Sequence, residues 1–319
     1  MKKILTIIAF LSILLSSVAA QAESTSSKEV RIGYQAASTM ILLGKAKKFY
    51  DEEFAKAGYK VNYGLFLAGP PMIEAFAGDR LDFIHTGDMP PVNGRSSGID
   101  LKVIANAGLD LSHNAVLVAP DSPIKTPKDL KGKKVALPVG SSAHHFLYLL
   151  LAQNGLKVSD VTLVNLPAPD LATALDNHEV DAIAVWEPFT AKLELENKAK
   201  VLADSKGVKR AVNVYLTRNA FGKANPKLVQ IFLKATKRAV DYYKSNPKEA
   251  VAAIAQESKF PEPVVAKIIR RYNFSLAIAK EDITALGQVK DFLQETKTLR
   301  KDFPINELFD LSYLKQSGL

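Results

Sequence analysis

The sequence predicts an α/β protein of two lobes, each a mainly parallel sheet flanked by helices, followed by a helical tail. Three observations carry this. Short β-branched runs alternate with amphipathic helical ones, the same order starts again near the middle of the chain, and from Pro226 onward the strand signal gives way to helical spacing.

Residues 1–22 stand apart from that fold. Lys2 and Lys3 precede an apolar stretch over residues 4–15, and Ala20-Gln21-Ala22 is a small-x-small cleavage site, the layout of a secretory signal peptide cut near Ala22. Ser12, Ser16 and Ser17 interrupt the stretch, which falls short of the roughly 20 apolar residues of a membrane span. After the Ser-rich residues 24–27, a strand is expected over 30–34. Ile41, Leu42, Ala46, Phe49, Tyr50 and Phe54 then recur at helical spacing until Gly58 ends that helix. A strand over 61–66 leads to Gly69-Pro70-Pro71 and a short helix through Phe76. The apolar run 81–84 halts in Thr86-Gly87-Asp88, and a helix begins near Pro90.

The second cycle starts from the apolar residues 115–119. Residues 126–134 form a short helix and polar turn, 135–137 a strand, and Gly140-Ser141-Ser142 opens a helix through Ala152. A strand over 161–166, helical residues 171–175 and a strand over 181–185 follow, the last running into Trp186-Glu187-Pro188. Crossings between lobes at 114–119 and 211–217 place lobe 1 at 23–114 and 214–319, and lobe 2 at 115–213. A chain that crosses twice finishes where it began, so the tail is expected on lobe 1.

The chain has no cysteine, hence no disulfide framework and no thiol beside the cleavage site to carry a lipid. An exported protein of this kind is expected free in the periplasm, as a monomer without cofactor. The formal charge of +9 falls to +7 once Lys2 and Lys3 leave with the leader. That balance suits an anionic solute, while nucleic acid is not a partner outside the cytoplasm. The lysines along the C-terminal helices read as solvated faces.

In open α/β sheets ligands sit beyond the carboxyl ends of the strands. Five loops qualify: residues 35–39, 68–71, 86–91, 140–144 and 186–188. Each hands over to a helix, whose first turn offers unpaired N–H groups and partial positive charge. Taken alone, Gly87 and Gly140 are explained by tight turns, Ser38, Asp88 and Ser141 by helix capping, and Trp186, the only tryptophan, by packing. Their shared topological end points to a cleft for a small anion, with Trp186 supplying apolar contact. His144 and His145 project about 100° apart on a helix and do not share a metal.

At these residues the sequence resembles the substrate-binding proteins of ABC importers in the aliphatic sulfonate, taurine and nitrate group, above all the aliphatic sulfonate-binding type. RIGYQAAST (31–39), FLAGPPMIEAF (66–76), LDFIHTGDMPP (81–91), NAVLVAPDSPIKTPKDLKGKKVALPVGSSAHHFL (114–147) and VDAIAVWEPF (180–189) carry the likeness, with a fainter echo in FDLSYL (309–314). The resemblance implies a type II periplasmic binding fold with two crossover strands as hinge, closing over a solute that a membrane permease then receives. It implies ligand contacts at Gln35, Ser38, Gly69, Pro70, Thr86, Gly87, Asp88, Ser141, Ser142, His144, Trp186 and Glu187; Thr39, in the first of the five loops, joins them by position. Met89 and His85 depart from the group's usual pattern.

The implied solute is an alkanesulfonate, with taurine, nitrate or a heterocyclic precursor of the thiamine-pyrimidine type as alternatives. A carboxylate beside a sulfonate repels it, so Asp88 and Glu187 either brace the loops or accept a protonated amine such as that of taurine. A periplasmic hydrolase is the competing reading. It would have to use Ser142 and His144, which at that spacing face different ways on a helix.

Overall fold

The computed structural model describes residues 28–319; the expected signal peptide and cleavage near Ala22 lie outside the described residues. Two five-stranded sheets are built. The first takes β1 (Lys28–Tyr34), β2 (Tyr59–Leu65), β3 (Phe83–Gly87), β4 (Leu101–Leu109) and β10 (Val212–Arg218) in the order β2-β1-β3-β10-β4. The second takes β5 (Asn114–Val118), β6 (Lys134–Leu137), β7 (Thr162–Asn165), β8 (Ala182–Trp186) and β9 (Lys200–Asp204) in the order β7-β6-β8-β5-β9. β1 runs parallel to β2 and β3, and β6 parallel to β7 and β8. One strand in each sheet opposes its neighbours: β10 between β3 and β4, and β5 between β8 and β9.

The chain passes from one sheet to the other through residues 110–113 and returns through 205–211. These two crossings are tied to each other. Ser205 N–H donates to the Asn114 carbonyl at 2.8 Å, and the Ser205 hydroxyl accepts from Asn114 N–H at 3.1 Å and donates to the Leu111 carbonyl at 2.7 Å.

The first sheet is buried on both faces, as side-chain alternation along a strand requires. On β10, Tyr215 faces a cluster with Val30, Ile32, Phe83 and Phe232, whereas Val214 and Leu216 face Met72, Ile84, Val92 and Leu286. The first face is covered by α1 (Thr39–Ala46), α2 (Phe49–Ala55), α9 (Pro226–Ser245) and α10 (Pro247–Ser258). The second is covered by α3 (Gly69–Ala77), α4 (Met89–Ser96) and α12 (Lys280–Glu295). Lobe 2 has a single core in which α5 (Ser142–Gln153) and α6 (Leu171–Asp176) pack on β5, β6 and β8.

Four expectations are corrected. The single helix expected up to Gly58 is two, because Lys48 turns left-handed (φ 57°) and swings the Tyr50 ring onto Gly44, where even a methyl group would lie 2.4 Å from the ring. β3 does not end at Ile84; it continues through Thr86 and Gly87, which pair with Val214 and Asn213 of β10. β4 and β9 were not anticipated: Asn106 and Gly108 break the apolar alternation of β4, and β9 is an edge strand with no fully buried residue. The tail closes both faces of lobe 1 and reaches lobe 2 as well. Val264 and Ile268 of α11 (Glu262–Ile269) pack on Ala191 of α7 (Phe189–Leu195), and Lys267 pairs with Glu194 at 2.7 Å.

Candidate functional site

The cleft lies where the two sheets present their strand ends to each other. Gln35, Gly69, Gly87, Pro90 and Asn213 line it from lobe 1, Ser141, Ser142 and Trp186 from lobe 2, and His113 from the crossing. The space among them is about 10 Å³, room for little more than one water molecule. α3, α4 and α5 reach the cleft with their first turns, through Gly69, Pro90 and Ser142, although Pro70, Pro71, Pro90 and Pro91 carry no N–H to offer.

Close approach is specified by glycine, between the lobes at Gly87 and within lobe 1 at Gly69. A β-carbon on Gly87 would lie 2.9 Å from Ser142 Oγ, and one on Gly69 would lie 2.5 Å from the Pro90 ring. Ser142 Oγ is itself fixed by Asn114 Nδ2, which donates to it at 3.1 Å.

Ser38, Asp88 and Ser141 stand at helix N-cap positions, yet none of their side chains makes a capping bond. Capping therefore does not explain them. Ser38 Oγ accepts from Gln35 N–H at 3.0 Å and pairs with His85 Nδ1 at 2.8 Å, which fixes the loop that carries Gln35. Ser141 Oγ and Gln35 Oε1 are buried without a hydrogen-bond partner among the described residues. A buried polar atom left in that condition costs about 1–3 kcal/mol, which a ligand that supplies the missing bond recovers.

Asp88 and Glu187 are not among the residues that line the cleft, and both are held in ion pairs. Asp88, fully buried, accepts from Lys209 Nζ at 2.9 Å, and the same ammonium donates to the Ser142 carbonyl at 2.9 Å. Lys209 thus ties lobe 1 to the first turn of α5 in lobe 2. Desolvation raises the Asp88 carboxyl and lowers the Lys209 amine, and the opposite charge beside each offsets it. Glu187 bonds the Arg271 guanidinium and accepts from Ala191 N–H at 2.9 Å. Burial pushes Glu187 up, with Arg271 the main offset. Arg271 also meets Asp110 at 3.2 Å, so the tail clasps the crossing and lobe 2 together.

The remaining expected residues fall behind or beside the cleft. Thr39 and Thr86 are buried in its wall, with Thr86 Oγ1 donating to the Gly87 carbonyl at 2.8 Å. Pro70 lines a neighbouring chamber. His144 presents its ring to Phe292 of α12 (centroids 5.5 Å apart), and burial lowers its pKa to about 4. Met89 is buried in the lobe 1 core, and burial lowers His85 to about 3, leaving it neutral.

Lys209, His113, Asn114 and Asn213 were not anticipated. All four sit in or beside the crossings, where no loop-to-helix handover marks them. The available signal was the basic pair Lys209-Arg210 set directly before a buried strand, since two charges there need acidic partners: Asp88 for the first and Asp282, at 2.7 Å, for the second.

A family model described as NMT1/THI5 like matches residues 36–250. The chain belongs to the NMT1/THI5 like family. Within reach of this family, the chain is 33% identical to a putative aliphatic sulfonates-binding protein of Bacillus subtilis, over 91% of this chain and 88% of that one. It is 30% identical to the protein of the same description from Escherichia coli, over 94% of each. Among solved structures, the alkanesulfonate-binding protein SsuA from Xanthomonas axonopodis pv. citri, bound to MOPS, superposes with a TM-score of 0.82 at 26% identity, covering 88% of this chain and 98% of that one. The periplasmic binding fold, two sheet-containing lobes joined by paired crossings, is common to them.

Proposed function

We propose that the protein is the periplasmic solute receptor of an ABC importer, binding an aliphatic sulfonate in the interlobe cleft and passing it to a membrane permease. The observation that carries this is the unpartnered Ser141 hydroxyl, buried at the N-terminus of α5 and beside the first turns of α3 and α4. It is a donor in a field that favours negative charge. Each helix end contributes about 0.3–1 kcal/mol toward an anion. Micromolar binding needs about −8 kcal/mol, so contact with Trp186 and burial of the solute's carbon skeleton supply much of the rest. The kinship with sulfonate-binding proteins at 30% and 33% identity supports the same solute class.

Asp88 and Glu187 act as braces in this reading. Their charges are matched by Lys209 and Arg271, so neither opposes an anion in the cleft. Receptor rather than hydrolase is favoured by Ser142 and His144: the hydroxyl is held by Asn114 and the imidazole faces Phe292. With room for little more than a water between the lobes, entry of a sulfonate requires them to part about residues 110–113 and 205–211.

The test is a titration followed by Trp186 fluorescence and calorimetry, using butanesulfonate, taurine, nitrate, sulfate and the thiamine pyrimidine. Saturable binding of butanesulfonate without turnover is expected. If every oxyanion leaves both signals unchanged while the pyrimidine or a cationic compound binds, the sulfonate reading fails.

A further inference from the structure

Beside the cleft lies a second chamber of about 340 Å³, within the roughly 300–1,000 Å³ of small-molecule sites. Pro90 lines both spaces. The loops that wall the cleft continue into the chamber: Pro70 follows Gly69, and Gly140 precedes Ser141. Gly140 is the one lining residue from lobe 2. A β-carbon there would lie 3.6 Å from the Pro70 ring and 3.9 Å from Asn93 Nδ2, so the two lobes form a neck at this point.

The chamber is amphiphilic. Its floor is the seam between α3 and α4, where Ile73 packs so closely on Gly94 that a β-carbon there would lie 2.7 Å from the isoleucine side chain. Its rim carries Glu74, Asn93 and Arg300, and neither the Glu74 carboxylate nor the Arg300 guanidinium has an ion-pair partner among the described residues. An apolar floor under a polar rim, next to an anion-favouring cleft with which it shares Pro90, fits an organic anion with a long aliphatic tail.

We propose that this chamber is a tail subsite: the sulfonate head sits in the cleft, the chain passes the Gly140 neck and lies along Ile73, and the protein selects long-chain over short-chain sulfonates. This rests on the cleft being a sulfonate site. Covering apolar surface is worth about a threefold to fourfold gain in affinity per buried methylene, so selectivity climbs with chain length until the floor is covered.

Calorimetry with methanesulfonate, butanesulfonate and hexanesulfonate tests it on the full mature protein. The wild type is expected to bind hexanesulfonate at least about tenfold more tightly than methanesulfonate. Ala77 and Ser97 are exposed residues of the chamber wall, so Ala77→Trp and Ser97→Trp fill it from the outside without entering the core. Each is expected to abolish the chain-length preference while leaving methanesulfonate affinity within about twofold. Equal wild-type affinity for all three ligands, or a preference that survives in both folded variants, overturns the subsite and leaves the sulfonate cleft standing. Failure of all three to bind overturns both.

Discussion

Lys209 is the residue on which the closed arrangement most directly depends. Its ammonium, almost wholly buried, is shared between the carboxylate of Asp88 in lobe 1 and a main-chain carbonyl at the start of α5 in lobe 2. Removing one partner of a buried pair strands the other charge, at a cost of about 3–5 kcal/mol, whereas removing both is often close to neutral. Lys209→Met is therefore expected to lower the melting temperature sharply, and Asp88→Asn combined with Lys209→Met to restore most of the loss. A single variant as stable as the wild type would show that the pair contributes nothing. At this scale the sequence was legible where a side chain belongs to a strand-to-helix handover, as with Gln35, Ser141 and Trp186. It was not legible for Lys209 or Asn213, whose partners lie more than a hundred residues away: Asp88 for the first and, across β3, Gly87 for the second.

Among the elements, the meeting of β3 with α5 has the tightest tolerance. Gly87 ends β3 against Ser142, the first residue of α5, and a β-carbon would stand 2.9 Å from Ser142 Oγ and 3.0 Å from its Cβ. Gly87→Ala leaves each lobe's own packing untouched and collides only when the lobes meet. The expected outcome is a loss of solute affinity of about tenfold or more, with the melting temperature changed by only a few degrees, since differential stability of closed and open forms is what a ligand exploits. Unchanged affinity would mean that binding does not require this approach. The parallel strands were readable because a buried strand is a short apolar run closed by small polar residues, as at residues 135–142. β4 escaped because Asn106 and Gly108 lie inside it, with Asn106 bonding its own backbone two residues on (2.6 Å) and the tail's Asp282 (3.0 Å); both contacts are tertiary or conformational facts that no periodicity contains. The break between α1 and α2 escaped likewise, since a continuous helical spacing spans it.

The molecule carries three of its five histidines fully inside. His85, His113 and His145 are each at most 2% exposed. Burial lowers His85 and His113 from 6.5 to about 3 and His145 well below 6.5. The unfolded chain takes up these protons below pH 6.5 and the folded one does not, so stability is full above 6.5 and falls as the pH drops toward 3. Each such histidine removes about 1.4 kcal/mol per pH unit in that window. Melting curves are expected to shift downward by several degrees between about pH 7 and pH 5, and His113→Gln to show a shallower slope. A flat profile there would mean that the histidines titrate alike in both states.

The order of strands also sets a timetable for the chain. Every strand of the second sheet comes from residues 114–204, whereas the first sheet receives β10 between β3 and β4 only once residues 212–218 exist. A polypeptide emerging amino end first can complete its middle while its beginning still waits for a missing slat, and the last-made helices then seal both sides of a wall begun two hundred residues earlier.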